Sequence, residues 1–267
     1  MRRRLVLACL ATASVAAASV SAQPTGSNIE PKTPLSRSEP SATEFSTKET
    51  RALMHGYAKC VVARRFAKAS EALLRNVGNS TLMRDYPSLV DGDCLADQKR
   101  IANDMRIGSV RMSFGGDLYR YALADALFSR ELASVPAPDF SGVAKLQHWR
   151  VGAQPQRVTA KGKTLSQRKY DEAMRDYNQV VALTYLSHYG ECIVRKAPSQ
   201  SRALLLTVPD STEEAASFNA LRTAFAECLS EGASLKFSRT TLRGAIAINY
   251  YRLARAALGA PAERTAG

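Results

Sequence analysis

Four sets of residues in this 267-residue chain have the types and spacing to do chemistry. Cys60, Cys94, Cys192 and Cys228 make two nearly equal separations, 34 and 36 residues. With no CxxC pair and no Cys/His ligand spacing, such a set reads as disulfides before it reads as a metal cage. His55, His148 and His188 are the only histidines, the residue type best suited to proton transfer near neutral pH. His188 lies one helical turn before Cys192, but a Cys/His nucleophile pair needs a free thiolate, which paired cysteines do not supply. Asp91, Asp93 and Asp97 offer oxygens to calcium, yet Leu95 and Ala96 stand where such a loop needs an oxygen ligand and a glycine. A solvated turn is the expectation there.

The fourth set is basic. Between Phe140 and Tyr170 there is no acid, while Lys145, Arg150, Arg157, Lys161, Lys163, Arg168 and Lys169 surround the sole tryptophan, Trp149. Bases beside an exposed ring can hold phosphates and stack a base or sugar, and the same charge can meet an anionic lipid surface. The competing reading is a solvated connector with Trp149 folded onto the core. Gly162-Lys163-Thr164 has the ending of a phosphate loop, but Arg157 occupies the position that needs glycine. No GxSxG elbow singles out a serine, so no catalytic residue, metal ligand or cofactor is assigned.

The elements that must position these residues begin after an export signal. Arg2, Arg3 and Arg4, the Ala-rich run to Val20 and the small residues Val20-Ser21-Ala22 read as a signal peptide over 1–22. Its removal takes Cys9 and lowers the formal charge from +13 to +10, and five of those ten net charges fall between Pro136 and Arg175. Residues 23–46, rich in Pro, Ser and Thr, read as a flexible lead. No later run reaches the roughly 18 apolar residues that a membrane span needs.

Leu53, Met54, Tyr57 and Val61 predict a helix over 47–65, and Leu183, Leu186, Tyr189 and Ile193 predict its counterpart over 179–196, which residues 163–178 extend backwards. Pro198 stops that helix and starts a short one to Leu206. Ser211-Thr-Glu-Glu214 is a capping-box signature opening a helical stripe through Cys228 to a stop at Gly232. Between the first two cysteines, Tyr86-Pro87 and Asp91-Gly-Asp93 predict turns. Closing helices are expected over 117–132 and 239–258, the latter capped by Ser238 and stopped at Gly259. Short alternating pieces precede both, 110–114 and 235–237, and 146–151 has the pattern of a short strand. Tyr119, Tyr121, Phe128, Tyr250 and Tyr251 in the closing helices read as core, or as the lining of a cleft.

The two halves repeat. Tyr57-Ala-Lys-Cys60 matches Tyr189-Gly-Glu-Cys192 at an offset of 132, Cys94-Leu95 matches Cys228-Leu229 at 134, and Arg120-Tyr-Ala-Leu-Ala124 matches Arg243-Gly-Ala-Ile-Ala247 at 123. This predicts a mostly α fold with at most short strands: module 47–135, basic connector 136–164, module 165–259 and a tail 260–267. Bonds Cys60–Cys94 and Cys192–Cys228 within modules are the simplest pairing; crossed pairings also satisfy the symmetry.

The stretches 189–195 and 242–247 resemble recurring motifs of small, uncharacterised exported proteins of sphingomonad-type alphaproteobacteria. The resemblance covers 180–258 well and 50–130 loosely, and it implies no activity, cofactor or catalytic residue. The leading expectation is therefore an exported, periplasmic or secreted, non-enzymatic disulfide-stapled helical scaffold or partner-binding protein, whose partner is a protein or an anionic envelope component. A binder of an anionic envelope component through residues 145–169 is the alternative, and an enzyme with a site between the modules is the third reading.

Overall fold

A computed structural model describes residues 47–104, 117–158, 162–229 and 237–259. The export signal, the lead, the tail, the alternating pieces at 110–114 and 235–236, the Gly232 stop and Lys161 lie outside the described residues. Helices run in the order α1 (Thr47–Leu74), α2 (Asn79–Asp85), α3 (Gly92–Asp104), α4 (Leu118–Glu131), α5 (Gln167–Lys196), α6 (Pro198–Leu206), α7 (Thr212–Ala220), α8 (Arg222–Cys228) and α9 (Arg239–Ala257). Both disulfides are formed, Cys60 to Cys94 and Cys192 to Cys228, and each fastens a long helix to a shorter one, α1 to α3 and α5 to α8.

Two expectations are corrected. Asp91-Gly-Asp93 does not remain a turn: the Asp91 carboxylate accepts from the backbone N–H groups of Asp93 and Cys94, which satisfies helix-start donors and opens α3. The same carboxylate faces Arg64 and Arg65, so its oxygens serve the cap and the cations. Residues 146–151 are not a strand. Their backbone is met by helix side chains, with Leu146 N donating to Glu191 and Gln147 O accepting from Arg252, so no neighbouring strand is needed. Among the described residues the only β pairing is one isolated bridge, Val158 to Thr164. The stripe from Ala215 to Cys228 also breaks in two at Leu221.

The core is layered around the closing helices. α4 packs on α9, α1 flanks α4, and α5 flanks α9. From Tyr119 to Phe128 only Tyr121 is partly exposed, and every residue from Arg243 to Tyr251 is buried. A helix enclosed on all sides carries apolar residues all round, which is why these two show little amphipathic contrast in sequence. Phe128 and Phe140 meet Tyr250 edge-on at 5.3 and 5.5 Å between ring centroids, each contact adding about 0.5–1.5 kcal/mol beyond burial. α4 and α9 approach so closely that a Cβ on Gly244 would lie 2.0 Å from Tyr121 Cγ. Glycine is required there because only hydrogen fits.

Several local geometries recur at the sequence offsets. α1 kinks at Arg65 (φ −129°, ψ 35°), and 132 residues later the chain breaks between α5 and α6 at Ala197 (φ −137°, ψ 63°). Tyr57 Oη donates to Asp91 O at 3.4 Å and Tyr189 Oη to Phe225 O at 3.1 Å, each acceptor lying three residues before the second cysteine of its pair. Asn76 (φ 52°) and Asp210 (φ 65°), 134 apart, are the described non-glycine residues in the left-handed region.

Candidate binding cleft

α1 presents Arg51, Met54 and His55 on the face turned towards α4 and α9, and these with Asp125, Arg243 and Gly244 line a cleft. Leu118, Ala122 and Ala247 complete an apolar wall. Counted out to its mouth, and so including space open to solvent, the cleft has about 380 Å³ not taken up by atoms.

The charged end of this cleft is a buried ionic network. Arg243 makes two-pronged contact with Asp125 (Nη2 to Oδ1 at 3.0 Å, Nε to Oδ2 at 3.4 Å) and reaches Glu214 at 3.2 Å. Arg51 bridges Glu214, at 3.3 Å, and Asp210. Arg243 also donates to the carbonyls of Leu204, Leu205 and Thr207, closing the C-terminal end of α6 where helix carbonyls lack partners. His55 Nδ1 lies 3.2 Å from Asp125 Oδ2. Burial pushes the Asp125 carboxyl up, but the His55 hydrogen bond and the Arg243 charge outweigh it and hold the group below the ordinary aspartate range. Asp125 is thus an anion already neutralised by its neighbours, suited to orienting His55 and fixing Arg243.

A second cleft, lined by Asn76, Arg120, Leu186, Ser187, Ile248 and Asn249, lies between α4, α5 and α9. Trp149 enters it. Its Nε1 donates to Asn76 O at 2.7 Å, and the Arg120 guanidinium lies 4.6 Å from the ring centroid, a cation–π stack. Arg120 is in turn held by Asp117 at 2.7 Å and Asn76 Oδ1 at 3.0 Å.

The strap that carries Trp149 is locked to α5. His148 sits between Ser187 Oγ (Nδ1, 2.7 Å) and Glu191 Oε2 (Nε2, 2.5 Å), and Glu191 also accepts from Leu146 N and Arg195. Arg195 donates onward to the carbonyls of Phe140, Val143 and Ala144. Burial raises the Glu191 carboxyl, yet the bonds from His148, Leu146 and Arg195 outweigh it and hold it at about 2. Ser187, His148 and Glu191 form a serine–histidine–acid chain, but both Glu191 oxygens are committed to fastening the strap and Ser187 lies inside a helix. The geometry serves attachment.

Of the candidate anion-binding residues, Lys145, Arg150, Arg157, Lys163, Arg168 and Lys169 are exposed, whereas Trp149 turns inwards. The four cysteines are bonded in the pairs of smallest separation. Tyr121 alone of the closing-helix aromatics lines both clefts; Tyr119, Phe128, Tyr250 and Tyr251 are core. Sequence reasoning missed Arg51, Asp125, Glu214 and Arg243. The available signal was a charge inside an otherwise apolar run, as in Ala124-Asp125-Ala126-Leu127 and Leu242-Arg243-Gly244-Ala245, since a buried charge demands a partner. No family model matches the chain, and no curated protein or solved structure is detectably similar to it.

Proposed function

We propose that the chain is an exported, non-enzymatic scaffold of two related helical modules that binds a protein partner. The observation that carries this reading is the state of the interior polar groups. Asp125, Glu191 and Glu214 are each engaged by arginine, and the histidines His55 and His148 face carboxylates within that framework. Groups so paired stabilise a shape, while the cleft beside Arg243 offers an apolar wall to a visitor. The recurrence of the Arg65 and Ala197 breaks, the two tyrosine-to-carbonyl bonds and the left-handed Asn76 and Asp210 supports descent from one duplicated module. Both disulfides agree with an oxidising compartment.

The test has two arms. The chain expressed with its leader and recovered from the periplasm should begin at Gln23 and contain no free thiol. An intact Met1 with four or five free thiols removes export. A fluorophosphonate probe should leave the mature chain unlabelled, and stoichiometric labelling of Ser187 overturns the non-enzymatic reading.

A second reading, an anionic polymer or lipid surface as partner, is favoured by the exposure of Lys145, Arg150, Arg157, Lys163, Arg168 and Lys169 in a stretch without acids. Replacing Lys161, Lys163, Arg168 and Lys169 by Gln should lower the salt needed to elute the protein from heparin. Unchanged elution removes that reading.

A further inference from the structure

Asn249 is the one polar residue in the run Ala245-Ile-Ala-Ile-Asn249-Tyr-Tyr251 of α9, and it is wholly buried. A buried carboxamide needs partners at both of its ends. Its Nδ2 meets two carbonyls, Ser187 O at 3.0 Å and Ala245 O at 2.8 Å, which fixes the nitrogen on that side of the group. The remaining atom, Oδ1, is buried and has no hydrogen-bond partner among the described residues. Arg120, 2% exposed on α4, shows the complementary lack. Its terminal nitrogens reach Asp117 and Asn76, and Trp149 stacks on the guanidinium. Its Nε–H, which lies in the plane of the group, is buried and likewise has no partner among the described residues.

Both residues line the cleft that Trp149 borders, and so does Ser187. Ser187 Oγ spends one bond on His148 Nδ1, at 2.7 Å, and keeps a lone pair. The cleft thus gathers one donor from α4, Arg120 Nε, and two acceptors, Asn249 Oδ1 from α9 and Ser187 Oγ from α5. It keeps about 20 Å³ of room. A single water needs roughly 10–15 Å³, whereas a cavity of roughly 150 Å³ is what admits benzene. We infer that this cleft is a binding site for one ordered water, which accepts from Arg120 Nε and donates to Asn249 Oδ1 and Ser187 Oγ. The charges select a neutral occupant. Asp117 already pairs with Arg120 at 2.7 Å, an anion would face the Asn249 carbonyl oxygen, and a cation would face the guanidinium. A water, with two hydrogens and two lone pairs, answers one donor and two acceptors, which no hydrocarbon group does. It ties the clamp made by Ser187 and His148 to the arginine on which Trp149 stacks. The inference goes beyond the scaffold reading and holds whichever partner the scaffold takes.

High-resolution diffraction from crystals of the disulfide-intact mature chain, grown with bromide in place of chloride, is the direct test. One water is expected within roughly 2.7–3.2 Å of Arg120 Nε, Asn249 Oδ1 and Ser187 Oγ, with no bromide signal at that point. In solution, magnetic relaxation dispersion of water oxygen counts the waters that the protein retains. Ala245→Val adds methyl groups to the cleft wall and should lower that count by one. Ser187→Ala removes an acceptor and should shorten the residence of the water about 2–10-fold, the equivalent of one hydrogen bond. If Ala245→Val loses its helical circular dichroism, the Ser187→Ala comparison decides. No density between the three atoms, a bromide peak there, or a direct bond from Arg120 Nε to Asn249 Oδ1 overturns the inference. So do variants that keep the parent's count and residence.

Discussion

Replacing Glu191 by glutamine tests how firmly the strap that carries Trp149 is fastened. Glu191 accepts from Leu146 N at 3.1 Å, His148 Nε2 at 2.5 Å and Arg195 Nε at 2.8 Å, and it is 6% exposed. Its carboxyl is held at about 2 in the fold against an ordinary 4.5. At about 1.4 kcal/mol per pH unit, that difference corresponds to roughly 3 kcal/mol of stability from the ionised group. Because the folded value is depressed, this contribution is fully present above about pH 4.5 and is lost as the pH falls through about 2. Glutamine keeps the shape and one acceptor but loses the charge, so E191Q should cost about 2–3 kcal/mol at pH 7. Urea unfolding of both proteins with disulfides intact, from pH 7 to 2.5, measures the gap. It should narrow to under about 1 kcal/mol at the acid end, where the wild-type carboxyl is itself approaching protonation. Asp125 titrates in both proteins and drops out of the comparison. A gap that is absent at pH 7, or constant down to pH 2.5, refutes the assignment of Glu191 as the strap's anchor.

Arg243→Leu removes the cation shared by Asp125 and Glu214 and should cost roughly 3–5 kcal/mol in the same unfolding measurement, since it strands buried carboxylates. Gly244→Ala places a Cβ 2.0 Å from Tyr121 Cγ and should destabilise the α4–α9 contact by about 2–3 kcal/mol, read as a lowered urea midpoint. Converting Cys192 and Cys228 together to alanine opens a link spanning 36 residues, and the thermal midpoint should fall by the equivalent of about 4 kcal/mol.

Helix ends were legible because their signals are local. Ser211 accepts from Glu214 N and Ser238 from Thr241 N, as their spacing predicts, and Gly259 takes the positive φ (73°) that a helix stop favours. The cysteine pairing was the simplest that two matched separations allowed; crossed pairings remained open until the structure joined Cys60 to Cys94 and Cys192 to Cys228. The cleft beside Arg243 was only partly legible. His55 stood out by type, but its partner Asp125 lies on another helix, and the Asp125–Arg243 pair spans 118 residues. Trp149 was readable as a ring among bases and as a ring folded inwards. The choice depended on whether an acceptor and a cation waited at the core, and these come from Asn76 and Arg120, distant in sequence.

The chain's residue order by itself determined the helical class and the caps, because each depends on neighbours within a few turns of the chain. Only the tertiary structure decided which cysteines pair, that Trp149 turns inwards onto Arg120 and Asn76, and that an apparent serine–histidine–acid chain fastens a strap. Those outcomes depend on which helix faces which, and α4 and α9 come together only where Gly244 leaves room for Tyr121.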